Sequence, residues 1–230
     1  MTDVAANWQA VCARVAAAAR RAGRDSQSVR LIAVSKTKPV EMIEAAIAAG
    51  ATDIGENYVQ EAAEKIRRIT TPVRWHLIGH LQRNKAARAV ELFEVIHTLD
   101  GVALGEALAR QAERHAQLVR LLVEVNIGGE ATKSGVAPPQ VPALLEALAP
   151  QRWLLIDGLM AIPPPGPSAE SGRPYFRGLR ELRDRLRREA PSNVPLRELS
   201  MGMSDDFEVA VEEGATMVRV GRAIFGERGV

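Results

Sequence analysis

The sequence predicts a single α/β domain built as a (β/α)8 barrel. Short apolar runs alternate with amphipathic helical segments along the chain, and about eight such pairs can be counted. No Pro-, Gly- or Ser-rich stretch is long enough to divide the 230 residues, so we expect one domain over 1–230. An open doubly wound sheet is the alternative, because sequence does not show closure. The absence of G-x-G-x-x-G after the first strand weakens its dinucleotide-binding form.

An alanine-rich helix precedes the first strand and is additional to the eight strand–helix pairs. It is predicted over 4–22, with Thr2 or Asp3 as its N-cap and Gly23 after its end. Cys12 lies on its apolar face, where we expect it to pack as a small core residue.

The first strand begins at Arg30 and stops just before Lys36. Pro39 is predicted at the first position of the following helix, which Gly50 ends. Lys36 therefore stands at the carboxyl end of a strand, the edge where barrels and open sheets bind ligands. Such a lysine is either a solvated charge or an amine of lowered pKa that forms a Schiff base with a carbonyl compound.

The remaining strands follow the same pattern, and a helix comes after each of them. Strands are predicted at 52–57, 74–80, 94–99, 118–126, 154–160, 197–201 and 217–221. Helices are predicted at 58–68, 84–92, 102–116, 139–148, 175–190 and 205–213, and the chain ends in a short helical turn. Residues 163–174 form either a mobile loop over the ligand edge or a long surface connection, and we favour mobility.

Composition argues against several classes of protein. A net charge of +2 gives no support to a nucleic-acid partner. The single cysteine excludes an intrachain disulfide and a cysteine-based zinc site. The sequence contains no H-E-x-x-H pattern, so a metal site is not expected. No apolar run approaches the ~20 residues of a membrane span, and the start of the chain has no signal-peptide pattern. We therefore expect a cytoplasmic protein without metal, nucleic-acid or membrane partners.

Two strand ends late in the chain carry residues suited to an anion. Ser200 and Ser204 flank Gly202 before a predicted helix, and Gly221 and Arg222 follow the last strand. Phosphate sites in barrels commonly lie after the seventh and eighth strands, where free backbone N–H groups are available. The alternative is that Ser204 is only a helix N-cap and Arg222 only a surface charge.

Arg219 differs from the other arginines because it alternates with Val218 and Val220 on the last strand. It therefore points to the opposite side of the sheet, into a barrel interior. A buried arginine keeps its charge and needs an acceptor, which could be a carboxylate or a ring nitrogen of a cofactor. A lysine for an aldehyde, an anion site and this arginine together suggest pyridoxal 5′-phosphate (PLP).

Six motifs lie in order between about residues 29 and 226. They are AVSKTKP at 33–39, GENYVQ at 55–60, HLIGHLQRNK at 76–85, GLMAI at 158–162, LSMGMS at 199–204 and MVRVGRAIFG at 217–226. These motifs resemble the pyridoxal phosphate homeostasis protein family (YggS/PROSC-type). The resemblance implies one barrel similar to the N-terminal domain of alanine racemase, in which Lys36 holds PLP as an internal aldimine.

The resemblance also implies roles for individual residues. Arg219 would lie near the pyridine nitrogen and keep it unprotonated, which makes the ring a poorer electron sink. Asn57 and His80 would line the pocket from strand ends. The phosphate-binding segments, largely through backbone amides, would contain Ser200, Met201, Gly202, Gly221 and Arg222.

The function implied by the resemblance is to bind PLP and regulate its free level, and thereby amino-acid and 2-keto-acid pools, with little or no turnover. PLP-dependent apoenzymes or PLP-synthesis enzymes are the candidate partners, and we expect a monomer. One alternative is a low-efficiency PLP-dependent amino-acid racemase, and another is a Schiff-base aldolase without PLP. A racemase needs a second acid or base, for which this chain offers only the tyrosines Tyr58 and Tyr175.

Overall fold

The computed structural model describes residues 2–130, 133–191 and 193–227. Within these ranges, eight parallel strands form a closed barrel in which each strand pairs with its neighbours in chain order and the last pairs with the first. The predicted (β/α)8 barrel is therefore confirmed, and the open sheet is excluded. Every strand ends at the same edge of the barrel, so ligand-binding residues from distant parts of the chain can meet there.

The elements follow the predicted order. The strands are β1 (Arg30–Val34), β2 (Asp53–Glu56), β3 (Arg74–Leu77), β4 (Val95–Leu99), β5 (Val119–Glu124), β6 (Leu154–Met160), β7 (Glu198–Ser200) and β8 (Met217–Val220). The helices are α1 (Val4–Arg21), α2 (Val40–Ala48), α3 (Val59–Arg68), α4 (Ala86–Leu92), α5 (Val102–Arg114), α6 (Val141–Leu148), α7 (Arg173–Arg187), α8 (Phe207–Glu212) and α9 (Arg222–Phe225).

Most predicted helix starts differ from the structure by one or two residues, and at two of them a residue has a different role from the one predicted. Pro39 is the N-cap of α2 and not its first residue, because its ψ of 155° is extended. Ser204 does not cap α8, whose N-cap is Asp206. The Asp206 carboxylate accepts the N–H of Met203 at 2.7 Å, which closes a turn before the helix and delays its first residue to Phe207.

The extra N-terminal helix is present as predicted. Asp3 caps α1 by accepting the N–H of Ala6 at 2.9 Å, and Gly23 follows the helix end with φ 67°. Cys12 is half-buried against the core. The helix packs against α2, α8 and α9, so it joins the first and last strand–helix pairs of the barrel.

The sheet is packed on both faces. Its outward-facing residues, such as Leu31, Ala33 and Val218, join the helices in one large apolar core. A second, smaller apolar cluster fills part of the interior and consists of Ile32, Val95, Leu122, Met160 and Met217. Other buried positions are polar and include His76, His97, Ser200 and Arg219. No helix in the described part of the chain is long and apolar enough to cross a membrane.

Candidate functional site

A cavity of about 550 Å³ lies at the carboxyl edge of the barrel. Lys36, after β1, and Arg219, on β8, both line it, so the two ends of the barrel sequence meet in one site. The other lining residues are Val34, Lys38, Asn57, Ile78, Ile162, Met203, Ser204, Asp205, Gly221, Arg222, Gly226 and Glu227. The prediction that Lys36 stands at the ligand edge therefore agrees with the geometry.

The turn that carries Lys36 is held in an uncommon conformation. Thr37 has φ 63°, in the left-handed region that a β-branched residue rarely adopts. Its N–H donates to Glu61 Oε1 at 2.6 Å, and the N–H of Lys38 donates to the carbonyl of Ser35 at 3.0 Å. The backbone on both sides of Lys36 is therefore fixed, which is typical of a residue that must present its side chain in one direction.

A buried ionic network lies against this turn. Lys65 Nζ donates to Glu56 Oε1, to Glu61 Oε1 and to the carbonyl of Ser35, each at 2.7 Å. Glu56 is 0% exposed and also accepts the hydroxyl of Ser35 at 2.5 Å. Burial raises the pKa of Glu56, although hydrogen bonds from Lys65 and Ser35 oppose that change. Sequence reasoning missed this network, and the i,i+4 spacing of Glu61 and Lys65 is the one signal that pointed to it.

Arg219 points into the barrel interior, as its alternation with two valines predicts. The side chain is 4% exposed, and its Nη1 donates to Ser200 Oγ at 2.6 Å while Nη2 donates to the carbonyl of Ala161 at 3.0 Å. Burial lowers the pKa of Arg219 to about 10, against the carboxylates of Asp206 and Glu124. The guanidinium is therefore a fixed donor that faces the cavity.

The two predicted anion-binding segments meet at this cavity. A Cβ on Gly221 would lie 3.1 Å from the carbonyl oxygen of Val34, so glycine lets the end of β8 approach the end of β1 closely. Gly202 has φ 91°, and a Cβ there would lie 2.5 Å from Ala210 Cβ and 2.9 Å from Phe207 Cα. Positive φ and close approach therefore require glycine at 202, and glycine at 221 allows a tight approach of β8 to β1 beside the cavity.

Side chains beside these glycines set the charge of the segment. Ser204 Oγ accepts the N–H of Ala223 at 3.3 Å, which links the loop after β7 to α9. Arg222 pairs with the carboxylate of Asp205 and lies 3.3 Å from Glu227 Oε1. Hydrogen bonding to Asp205 raises the pKa of Arg222. The segment offers a hydroxyl, a guanidinium and backbone at one side of the cavity.

The other predicted site residues lie at different distances from the cavity: one lines it, three are buried beneath or behind the lining, and one is exposed outside it. Asn57 lines the cavity, and Ser200 lies beneath it as the acceptor for Arg219. Met201 and Gly202 are buried behind the lining residues. His80 lies outside the lining, with its ring Nδ1 3.2 Å from Asp100 Oδ2 and its side chain 54% exposed. The roles of these residues in cofactor binding stay predictions.

Neither tyrosine lies in the cavity lining. Tyr58 precedes α3 and is 60% exposed, and Tyr175 is half-buried on α7. The described residues contain no group of three or more His, Cys, Asp or Glu side chains that could hold a metal. The cavity lining contains two amines, the buried guanidinium of Arg219 and the backbone at Gly221.

The proline-rich segment covers part of the same edge. A second cavity of about 500 Å³ is lined by residues 162–169 and shares Ile162, Met203 and Asp205 with the first. The segment ends in a short 3-10 helix, Ala169–Gly172, directly before α7. Its position over the ligand edge agrees with the prediction, and its mobility stays a prediction.

These features first define a class of protein. The structure is a closed parallel barrel with a lysine after its first strand and glycine-containing loops after its last two strands, the arrangement predicted for a phosphorylated carbonyl ligand. The chain belongs to the alanine racemase N-terminal domain family, since a family model of that description matches residues 6–229.

Individual relatives match nearly the whole chain. The pyridoxal phosphate homeostasis protein of Pseudomonas aeruginosa is 44% identical over 229 residues, which cover 99% of this chain and 97% of that protein. The Aquifex aeolicus protein of the same name is 44% identical over 219 residues, or 95% of each chain. The solved structure of PipY from Synechococcus elongatus with PLP bound matches at a TM-score of 0.80 and 41% identity, over 86% of this chain and 93% of that one. The resemblance drawn from the sequence motifs is therefore confirmed.

Proposed function

We propose that this chain binds PLP at Lys36 and regulates its free level, with little or no turnover. The observation that carries the proposal is the meeting of Lys36, Arg219 and the Gly221–Arg222 backbone in one cavity at the carboxyl edge of the barrel. The close relatives named for PLP homeostasis, and the PLP that the PipY structure contains, support the same ligand.

The residues of the cavity fit this cofactor. Its volume of about 550 Å³ is within the usual range for small-molecule sites. Lys36 supplies an amine for the aldehyde, and Arg219 supplies N–H donors for the ring nitrogen. Ser204, Arg222 and the backbone at Gly221 would hold the phosphate, because they line the same side of the cavity and offer a hydroxyl, a guanidinium and backbone N–H groups.

The described side chains favour holding the cofactor over turning over a substrate. PLP supplies an aldehyde and a ring that can accept electrons from a bound substrate. Arg219 is a donor that retains its proton, so it keeps the ring nitrogen unprotonated and limits the ring as an electron sink. A racemase also needs an acid or base on the second face of the substrate, and both tyrosines lie outside the cavity lining.

The same proposal includes the surroundings in which the chain acts. We infer that it works in the cytoplasm as a monomer and exchanges PLP with apoenzymes or with PLP-synthesis enzymes. Lys38 also lines the cavity, and its Nζ donates to the carbonyls of Gly226 and Glu227, so it borders the opening through which PLP would pass.

The first test is an absorbance spectrum of the purified protein with added PLP, before and after reduction with borohydride, followed by peptide mapping. We expect a cofactor band that reduction traps on Lys36 and that Lys36→Ala abolishes. Lys38→Ala is the matched control, since it removes a cavity amine of the same kind and should leave the band in place. A wild-type protein that gains no band would contradict the proposal and favour an aldolase-type Schiff-base enzyme.

A second test separates cofactor holding from racemisation. The loaded protein is incubated with a panel of amino acids in deuterated solvent, and exchange of the Cα hydrogen is measured by mass spectrometry. We expect no more exchange than free PLP produces. Exchange well above that level, and lost in Lys36→Ala, would support the racemase alternative.

A further inference from the structure

A chain of hydrogen bonds crosses the barrel interior beneath the cavity. Arg219 Nη1 donates to Ser200 Oγ at 2.6 Å, and Ser200 Oγ lies 2.9 Å from His97 Nδ1. His97 Nε2 lies 2.9 Å from His76 Nδ1, and His76 Nε2 lies 2.9 Å from Asp53 Oδ1. The five side chains come from five different strands, and none is more than 4% exposed.

The far end of this chain of hydrogen bonds carries a fixed negative charge. Asp53 accepts two hydrogen bonds from Arg74, at 2.8 and 2.9 Å, and lies 3.5 Å from Arg30 Nε. Burial alone would raise the pKa of Asp53, but hydrogen bonds from His76, Arg74 and Thr52 hold it well below its usual range. Asp53 is therefore an acceptor only.

An acceptor at Asp53 and a neutral His76 together determine the direction of every bond between Asp53 and Arg219. His76 must carry a hydrogen on Nε2, because an unprotonated ring nitrogen would face the carboxylate at 2.9 Å. A neutral His76 then accepts on Nδ1, so His97 donates from Nε2 and accepts on Nδ1 from the Ser200 hydroxyl. Both rings are neutral in this arrangement, which agrees with burial lowering the pKa of each histidine.

The direction of these bonds affects Arg219 through the hydroxyl of Ser200, which lies between Arg219 and His97. With the Ser200 hydrogen directed to His97, the lone pairs of Ser200 Oγ are available to Arg219 Nη1. With a hydrogen on His97 Nδ1, that N–H and the Arg219 guanidinium would both donate to Ser200 Oγ, and the hydroxyl hydrogen would lose His97 as its acceptor. The apolar interior residues Ile32, Leu122 and Met217 offer no hydrogen-bonding side chain of their own.

We propose that Asp53, His76 and His97 are positioning residues that orient the Arg219 guanidinium toward the ring nitrogen of the bound cofactor. They act through Ser200, from the opposite half of the barrel, and none of the three lines the cofactor cavity. The cofactor part of this proposal rests on the proposed function. The direction of the hydrogen bonds is a property of the protein alone.

The first measurement addresses that direction without any change to the protein's interior. Histidine is labelled with ¹⁵N, and its ring resonances are recorded near neutral pH in cofactor-free and cofactor-loaded samples. His80→Gln and His115→Gln, at exposed positions, assign two of the four signals by subtraction. We expect His76 and His97 to be neutral with the hydrogen on Nε2. A cationic ring, or a hydrogen on Nδ1 of either residue, would overturn the proposal.

The second measurement compares three variants of the interior by PLP affinity and by the absorbance maximum of the bound cofactor. His97→Leu removes both hydrogen bonds, and we expect roughly tenfold weaker binding and a shifted maximum, as for one misplaced hydrogen bond from an ionised donor. His97→Gln keeps a donor and an acceptor and should recover much of the loss. Leu122→Met, a volume-conserving change in the same interior, should leave both readouts unchanged.

The two measurements fail in different ways. Wild-type affinity and an unshifted maximum in His97→Leu would contradict the positioning role, whatever the tautomers are. A wild-type protein that binds no PLP would contradict the proposed function, while the ¹⁵N spectrum of the same cofactor-free sample still decides the direction of the hydrogen bonds. If His97→Leu does not fold, the spectrum of the unaltered protein and the affinity of His97→Gln decide the proposal.

Discussion

Replacing Lys65 by methionine should be among the most damaging single substitutions near the site. The ammonium is shared by three oxygens at 2.7 Å, and the change would leave Glu56 fully buried without its cation. Glu56 Oε2 already lacks a hydrogen-bond partner in the described part of the chain, so no other group there compensates. Removing one partner of a buried ion pair costs about 3–5 kcal/mol, which for this chain length lowers the Tm by roughly 6–20 °C.

Urea unfolding followed by circular dichroism measures this loss. The matched variant is Lys65→Met combined with Glu56→Gln, which keeps an acceptor for the Ser35 hydroxyl but needs no cation, and it should recover at least half of the free energy of unfolding. A Lys65→Met protein within about 1 kcal/mol of the wild type would refute the reasoning, because the pair would then behave as a solvated one.

The same pair makes a pH-dependent prediction. Burial raises the pKa of Glu56 in the fold, so its contribution to stability is present below the ordinary value of 4.5 and is lost as pH rises through the folded value. Losing the Lys65 charge raises that pKa further. The stability difference between Lys65→Met and the wild type should therefore shrink as the pH of the urea titrations is lowered toward 4.5.

Three further substitutions test other parts of the structure. Gly202→Ala should lower the free energy of unfolding in urea by about 2–4 kcal/mol, because the new side chain adds backbone strain at positive φ and is overpacked. Gly129→Ala, at φ 67° with open space around it, should lose only the part that comes from backbone strain. Asp53→Asn should be less stable than the wild type above pH 3.8, the ordinary pKa of the carboxyl group. Because the pKa of Asp53 is depressed in the fold, the difference in free energy of unfolding should diminish as pH falls below 3.8, and a constant difference would argue against the depressed pKa. Arg219→Lys keeps the charge but loses the two-armed geometry, so fluorescence titration should show about tenfold weaker PLP binding, and unchanged affinity would count against the ring contact.

The sequence was informative where a signal is local. Strand alternation placed Arg219 inside the barrel, and an apolar run before Pro39 placed Lys36 at the ligand edge. Closure of the sheet could not be predicted, because it depends on the pairing of β1 with β8 across most of the chain. Some strand ends were overestimated, as in the predicted 74–80 where β3 ends at Leu77, because no local signal shows where the pairing with the neighbouring strands stops.

The contacts that sequence reasoning missed are long-range ones. His76 was interpreted as a core histidine, which is where it lies, but its bond to His97 and the bond of His97 to Ser200 join residues from three strands. Nothing in a single strand pattern shows which interior groups meet across a barrel. The Lys65 network lies closer together in sequence, but its bond to Glu56 joins α3 to β2, and no pattern within one element shows that contact.

The seam between β1 and β8 has a consequence for how the protein is made. The ligand cavity is lined by Lys36, which follows β1, and by Gly221, which follows β8, so it needs both the first and the eighth strand. In the same way α1 can pack fully only after α8 and α9 have been synthesised. A nascent chain therefore has no complete cavity until β8 has been synthesised. A ligand that binds only the closed form stabilises it by mass action, so PLP bound between β1 and β8 would favour closed barrels over chains in which β8 is not yet paired with β1.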